Sequence, residues 1–246
     1  MKKKTTKKVK KVVKKVATEV KTEDADYWKN RPLDDKRRDW GEKGENWIED
    51  YKLSINHPHR QLILQALDKF GTFAGLLEVG CGVGANLKLI QDKYPETQMA
   101  GVDVNDNCIE EAKKFVPKAI LKVGEATSLP FDDKSFDCIL FDAVLIYINP
   151  SEISKVISEI DRVVRKFIVL CEWFDEDSTE GIIKDFHWCR NYEKILNNLG
   201  YRVERIKITE ENWPSKKWVI HGNIFVGIKD NAIPKRTQIF QNEAKL

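Results

Sequence analysis

A doubly wound α/β fold on a seven-stranded, mostly parallel sheet is the architecture this sequence predicts, and three observations predict it. From residue 76 onward, short apolar runs alternate with stretches of helical spacing, the pattern of strands joined by crossover helices. The first apolar run, Leu76-Leu-Glu-Val79, opens into three glycines at 80, 82 and 84, and a helix-like run from Ala85 to Tyr94 follows at once. A second apolar run ends in an acid, Gly101-Val-Asp103, nineteen residues after Gly84.

Each element has its own signal. His59 to Phe70 places Leu62, Ile63, Ala66, Leu67 and Phe70 on one helical face and ends at Gly71. Strands are expected at 75–79, 98–102, 119–123, 136–141 and 167–171, with Pro95 and Pro117 closing the intervening helices. Asn149-Pro-Ser-Glu152 reads as a helix start, with Asn149 as cap, Pro150 in the first turn and Glu152 completing a capping box. The helix it opens carries Ile153, Val156, Ile157, Ile160, Val163 and Val164. After an acidic loop, Ile182, Ile183, Phe186, Tyr192, Ile195, Leu196 and Leu199 suggest one more helix, closed by Gly200. Two last strands, 202–208 and 223–228, are separated by a loop with Trp213, Pro214 and Trp218, and the last strand is expected to be antiparallel.

The chain has 246 residues, 41% apolar, enough for one domain with terminal additions. Four segments are expected: a Lys-rich flexible arm over 1–23, a helical lid over 24–58, the α/β domain over 59–229 and a polar tail over 230–246. No apolar run approaches the ~20 residues of a membrane span, and the lysines of the N-terminus precede no apolar signal core. A cytoplasmic location is the expectation. The five cysteines show no metal-like spacing and fall mostly in apolar runs, as free thiols of a reducing compartment do. No metal site is expected.

The net charge of +3 conceals a split: residues 1–21 hold ten lysines and one glutamate, so the remaining 225 residues carry −6. The acidic balance of the globular part argues against a polyphosphate groove there. Residues 2–15 could make weak electrostatic contact with nucleic acid or an anionic surface. Valines at 9, 12, 13, 16 and 20 also permit a basic amphipathic helix, against the plainer alternative of a solvated arm. Residues 24–58 combine charge with Trp28, Trp40 and Trp47, the composition of a segment that packs onto a neighbouring surface.

A strand, glycine turn and helix bring backbone N–H groups and a positive helix N-terminus to a ligand, and an acid at the next strand end can hold ribose hydroxyls. A nucleoside-containing cofactor follows. Gly80, Gly82 and Ala85 nominally satisfy the dinucleotide fingerprint, but Glu78 stands two residues before the first glycine and the third glycine falls at 84. With these features the sequence resembles the class I S-adenosylmethionine-dependent methyltransferases over about residues 59–229. The likeness rests on Leu77-Glu-Val-Gly-Cys-Gly-Val-Gly84, Gly101-Val-Asp103, Gly124-Glu-Ala-Thr-Ser-Leu-Pro-Phe131 and Ser135-Phe-Asp-Cys-Ile-Leu140, in this order. It is strongest with the broad branch acting on small molecules, lipids and sugars.

The resemblance implies a Rossmann-like sheet, S-adenosyl-L-methionine as cofactor, and methyl transfer by direct displacement to an O or N atom of a polar small molecule. It assigns the cofactor to Glu78, Gly80, Cys81, Gly82, Gly84, Asn86, Asp103, Val104, Glu125 and Ala126. The acceptor should lie beyond the fourth and fifth strands under the lid. Position makes Asp142, Tyr147, His187 and Glu172 the catalytic candidates and His57, His59, Arg60 and Arg190 the substrate-binding ones. His187 and Arg190, three apart, would share a helical face, and the grouping of His, Arg and Glu suggests a sugar-like or carboxylated acceptor. Three rivals remain: a methyltransferase acting on protein or RNA through the basic arm, a non-catalytic cofactor-binding protein, and an NAD-dependent oxidoreductase. Asp142-Ala-Val-Leu145 stands where many base-amine methyltransferases carry a proline-aromatic motif, which counts against that subclass.

Overall fold

The computed structural model describes residues 25–37 and 43–229. The Lys-rich arm, with the contacts expected of residues 2–15, and the tail lie outside the described residues. Parallel strands β1 (Gly75–Val79), β2 (Gln98–Asp103), β3 (Ile120–Val123), β4 (Phe136–Asp142) and β5 (Val164–Trp173) form the sheet with β8 (Tyr201–Lys207) and β9 (Gly222–Lys229). The order is β3-β2-β1-β4-β5-β9-β8, and β9, the last strand among the described residues, runs antiparallel between β5 and β8. This is the expected Rossmann-like sheet.

Period-two alternation sends neighbouring residues to opposite faces of the sheet. Leu76, Cys138 and Leu140 join one core, against α3 (His59–Asp68) and α4 (Ala85–Lys93). Leu77, Ile139 and Phe141 join the other, against α6 (Ile153–Val163) and α7 (Tyr192–Asn198). Helix α5 (Asp106–Phe115) follows β2, its first turn capped by the Asn105 side chain. Strand order reverses between β1 and β4, so their C-terminal ends open the crevice where doubly wound sheets bind ligands. Two short helices, α1 (Ala25–Lys29) and α2 (Trp47–Leu53), sit over that end. Buried Arg31 anchors them: its guanidinium lies 4.3 Å from the Trp47 ring and donates to Asp35. Asn105 donates to the carbonyls of Trp28 (2.9 Å) and Arg31 (3.2 Å).

The helix expected from Ile182 to Leu199 is not one element. Its first part is a hairpin, β6 (Ile182–Lys184) and β7 (His187–Cys189), and only α7 is helical. Lys184 pairs with His187 across a two-residue loop in which Asp185 and Phe186 both have positive φ, 48° and 70°. That geometry matches the twist of a hairpin and satisfies the ladder before a helix can start. His187 and Arg190 therefore do not share a helical face. Helix α6 begins later than its signal: Glu152 is the cap residue without a side-chain bond, and Asn149 instead accepts from Ser151 one turn earlier. The last connection holds an extra helix, α8 (Lys216–His221).

Phe186 is 65% exposed, so its left-handed backbone is offset by few contacts. Phe186→Gly should stabilise the chain by about 1 kcal/mol, read as a higher urea midpoint.

Candidate active site

The glycine turn is built by close approaches. Gly80, Gly82 and Gly84 all have positive φ, 72°, 51° and 84°. A Cβ on Gly80 would stand 2.3 Å from Val144 Cγ2, so the turn after β1 and the loop after β4 meet with no room for a side chain. At Gly82 a Cβ meets nothing nearer than Tyr51, 3.9 Å away, which leaves the backbone open towards the cavity. Asp103 fixes this turn: one carboxylate oxygen accepts from Gly82 N (2.8 Å) and the other from Asn105 N (2.9 Å). Burial raises its pKa, and backbone bonds oppose the rise.

The turn borders a cavity of about 400 Å³, within the range of ~300–1,000 Å³ usual for small-molecule sites. Glu78, Gly80, Cys81, Gly82, Asn86, Asp103, Val104, Glu125 and Ala126 all reach its wall. Gly84 is not on the wall; it packs against Val116 and serves as the left-handed residue from which α4 starts. Glu125 is exposed, with Lys29 Nζ 3.7 Å away.

Beneath the wall lies a buried polar knot. Asn86 Nδ2 donates to Glu78 Oε1 (2.7 Å) and Asp142 Oδ2 (2.9 Å), while its Oδ1 accepts from Arg60 (2.5 Å). Arg60 also reaches Asp142 Oδ2 (3.3 Å) and Ser54. His59 Nε2 lies 2.9 Å from the same Asp142 oxygen, and its Nδ1 lies 2.6 Å from His57 Nδ1. A carboxylate only accepts, so His59 donates from Nε2 and receives from His57 at Nδ1. Burial, then the neighbouring positive charge, holds both imidazoles below their usual pKa, His57 at about 4. Burial works to raise the Asp142 pKa, but His59, Arg60 and Asn86 outweigh it and keep the carboxyl well below the usual range. Glu78 moves the other way: burial, with Asp142 nearby, pushes it up to about 8 against the Asn86 bond. Its Oε2 and Asp142 Oδ1 have no partner among the described residues. An acid on the cavity wall with an orphaned oxygen suits a cationic ligand group.

Two expected site residues serve the backbone instead. Glu172 lies off the cavity wall and accepts from the N–H groups of Val144 (2.9 Å), Leu145 (2.9 Å) and Ile146 (3.1 Å). Arg190, also off the wall and fully buried, donates to the carbonyls of Leu145 (2.7 Å), Ile148 and Glu180 (3.1 Å). Together they grip the short 3₁₀ turn Leu145–Tyr147, carboxyl at its N–H end and guanidinium at its carbonyl end. Neither is placed to touch an acceptor, and the grouping of charges that suggested a sugar-like acceptor loses two members. His57 and His59 likewise stand behind the wall, His57 edge-on to Trp213 at 5.1 Å and His59 tilted against it at 4.1 Å. Arg60, Asp142, Tyr147 and His187 do line the cavity.

An arc of rings forms the rest of the wall, and most of it was not singled out from the sequence. Trp28 meets Tyr147 (5.1 Å), Tyr147 meets His187 (5.2 Å) and His187 meets Trp173 (4.7 Å). Trp173 meets Trp218 (5.9 Å), which stacks on Trp213 (3.7 Å). The richness of the chain in tryptophan was the available signal. His187 Nδ1 is 2.9 Å from the Asp185 carbonyl, which fixes that nitrogen as the donor and leaves Nε2 as the basic one. Burial lowers the His187 pKa, keeping the ring neutral near pH 7.

Residues 76–166 match the family model described as a methyltransferase domain. Over those residues the chain is similar to that family. The chain is 35% identical over 92 residues to the ubiquinone/menaquinone biosynthesis C-methyltransferase UbiE of Desulfotalea psychrophila, covering 37% of each chain. It is 31% identical over 91 residues to a demethylmenaquinone methyltransferase of Thermotoga maritima, covering 37% of this chain and 39% of that one. The matches thus span well under half the length of these curated relatives. Among solved structures, magnesium protoporphyrin IX methyltransferase of Synechocystis PCC 6803 with bound SAM superposes with a TM-score of 0.59 at 16% identity, over 84% of this chain and 95% of that one. That likeness establishes the class I methyltransferase fold. Among the described residues no helix is long and apolar enough to cross a membrane, and all five cysteines are buried and unbridged.

Two outcomes follow from the site's electrostatics. An acid with a raised folded-state pKa contributes stability that is present below its ordinary pKa of 4.5 and lost as pH rises through about 8. Glu78→Gln keeps the shape and removes the titration. Between about pH 5 and about pH 9 the wild type should lose more stability than the variant, by on the order of a few kcal/mol, in urea unfolding at both pH values. Arg190→Lys leaves one ammonium where a planar fork served three carbonyls, and should destabilise the domain by about 2–3 kcal/mol in the same assay.

Proposed function

We propose that the domain binds S-adenosyl-L-methionine and transfers its methyl group to an O or N atom of a small molecule. The observation that carries this is the buried acid Glu78, left with an orphaned oxygen on the wall of a crevice framed by the glycine turn and Asp103. When bound, S-adenosylmethionine supplies a methyl group already activated on a positively charged sulfur.

The chain's residues do the rest. The open backbone at Gly82 allows close approach, and the N-terminus of α4 favours the cofactor's carboxylate. Glu78 offers its free oxygen to a positive group. Asp103 keeps lone pairs for ribose hydroxyls while holding the turn, and Glu125 with Ala126 stands at the adenine end. Residues 24–58 act as the lid, contributing Trp28, Trp47 and Tyr51 to the wall and excluding water. Asp142 and Arg60 line the boundary between cofactor and acceptor; Tyr147 and His187 line the acceptor end.

Calorimetric titration with S-adenosylhomocysteine tests this. The wild type should bind, and Asp103→Ala should weaken binding by at least about 100-fold, with loss of both the ribose contact and the turn. Unchanged affinity in the variant, or a melting point raised by NAD and not by S-adenosylhomocysteine, would overturn it.

A further inference from the structure

The acceptor end of the cavity has a chemistry of its own. Its wall is the ring arc from Trp28 to Trp213, and the ionisable side chains there are few: Tyr147 and His187 within the arc, and Glu152 and Lys217 beside it. Such a wall recognises a flat, apolar body by stacking and offers little to a molecule carrying many hydroxyls. Trp173 is buried and its indole Nε1 has no partner among the described residues. The neighbouring His187 ring, 4.7 Å away between centroids, donates at Nδ1 to Asp185 and so presents Nε2 as an acceptor. Trp28 Nε1, at the other end of the arc beside Tyr147, is also unpartnered among the described residues, but Trp173 is the indole whose ring meets His187. An indole donor beside an imidazole acceptor is the pair that a hydroxyl oxygen satisfies: it receives from the indole and donates to the imidazole. A protonated amine has no lone pair for the indole, and a carboxylate has no proton for the imidazole.

We propose that the acceptor is a planar ring bearing a hydroxyl group, methylated on that oxygen, with His187 Nε2 as general base and Trp173 Nε1 as the group that reads the oxygen. The inference rests on the cofactor assignment made above. In the transfer, the hydroxyl oxygen provides the electron pair of the new O–C bond, and the methyl C–S bond breaks with its pair remaining on sulfur as a neutral thioether. The hydroxyl proton passes to His187 Nε2, and the imidazolium returns it to solvent after product leaves. A base of neutral form near pH 7 is what this step needs, and burial keeps His187 in that form.

The test uses the full chain with S-adenosylmethionine and four probes: catechol and 4-hydroxybenzoate as ring hydroxyls, methyl glucoside as a sugar and ethanolamine as an amine. Homocysteine-thioether product and the methylated probe are both measured, and probe binding is followed calorimetrically in the presence of S-adenosylhomocysteine. At least one ring hydroxyl should bind and be methylated at least about 10-fold faster than either other probe. His187→Gln should lower its turnover by about 100-fold while leaving S-adenosylhomocysteine affinity unchanged. Trp173→Phe, which keeps the ring and deletes the donor, should weaken ring-hydroxyl binding by about 10-fold. Methylation of the sugar or the amine in preference to both ring hydroxyls, or of neither ring hydroxyl, overturns the proposal, as does undiminished turnover in His187→Gln. Failure of the wild type to bind S-adenosylhomocysteine would instead overturn the cofactor assignment, and the two failures are therefore distinct.

Discussion

The Asn86 side chain is the hinge pin of this structure. It sits in the first turn of α4 and ties together Glu78 of β1, Asp142 of β4 and Arg60 of α3. Buried acids are costly unless their bonds are made, and two of them share this one amide. Its geometry therefore sets the relative positions of the two strands at the point where strand order reverses. The cavity above inherits its floor from that arrangement. The Gly80–Val144 contact acts at the same seam by sterics rather than charge, so glycine turn and following loop are located by two independent constraints.

A division of labour among acids follows. Asp142 is held ionised by three donors on one oxygen, whereas Glu78 and Glu172 are both pushed up to about 8 by burial. Glu172 answers its burial with three backbone N–H bonds. Glu78, on the cavity wall, retains an oxygen unanswered among the described residues, and that difference separates it from an acid that shapes a loop.

Much of the fold was legible in the sequence because its signals are local. Apolar runs bounded by Gly and Pro located β1 to β5 within a few residues, and the positive-φ glycines announced the turn. The hairpin at 182–189 was misread because Ile182, Ile183 and Phe186 also fit a helical stripe, while the turn at Asp185-Phe186 lacks the glycine that usually marks it. The site was less legible. Asp103 and Glu172 are both acids at strand ends, and sequence position alone does not say whether such a carboxylate meets a ligand or a backbone. Arg190 was unreadable for the same reason, since its three carbonyl partners come from two distant segments. The ring arc was hidden because Trp28, Trp173 and Trp218 are far apart in the chain and become neighbours only through the topology.

The grip of Glu172 and Arg190 on the turn after β4 has a further meaning. That turn lines the cavity, yet its conformation is imposed from outside, by a carboxyl on β5 and a guanidinium following β7. Val144, Leu145, Ile146 and Ile148 are committed to the core and the Gly80 contact, but Tyr147, on the cavity wall, is relieved of the duty of specifying its own backbone. That position can be rewritten to suit another ligand without rebuilding the scaffold. The place where this protein would diverge most cheaply, in nature or in the laboratory, is thus the one its framework holds most firmly.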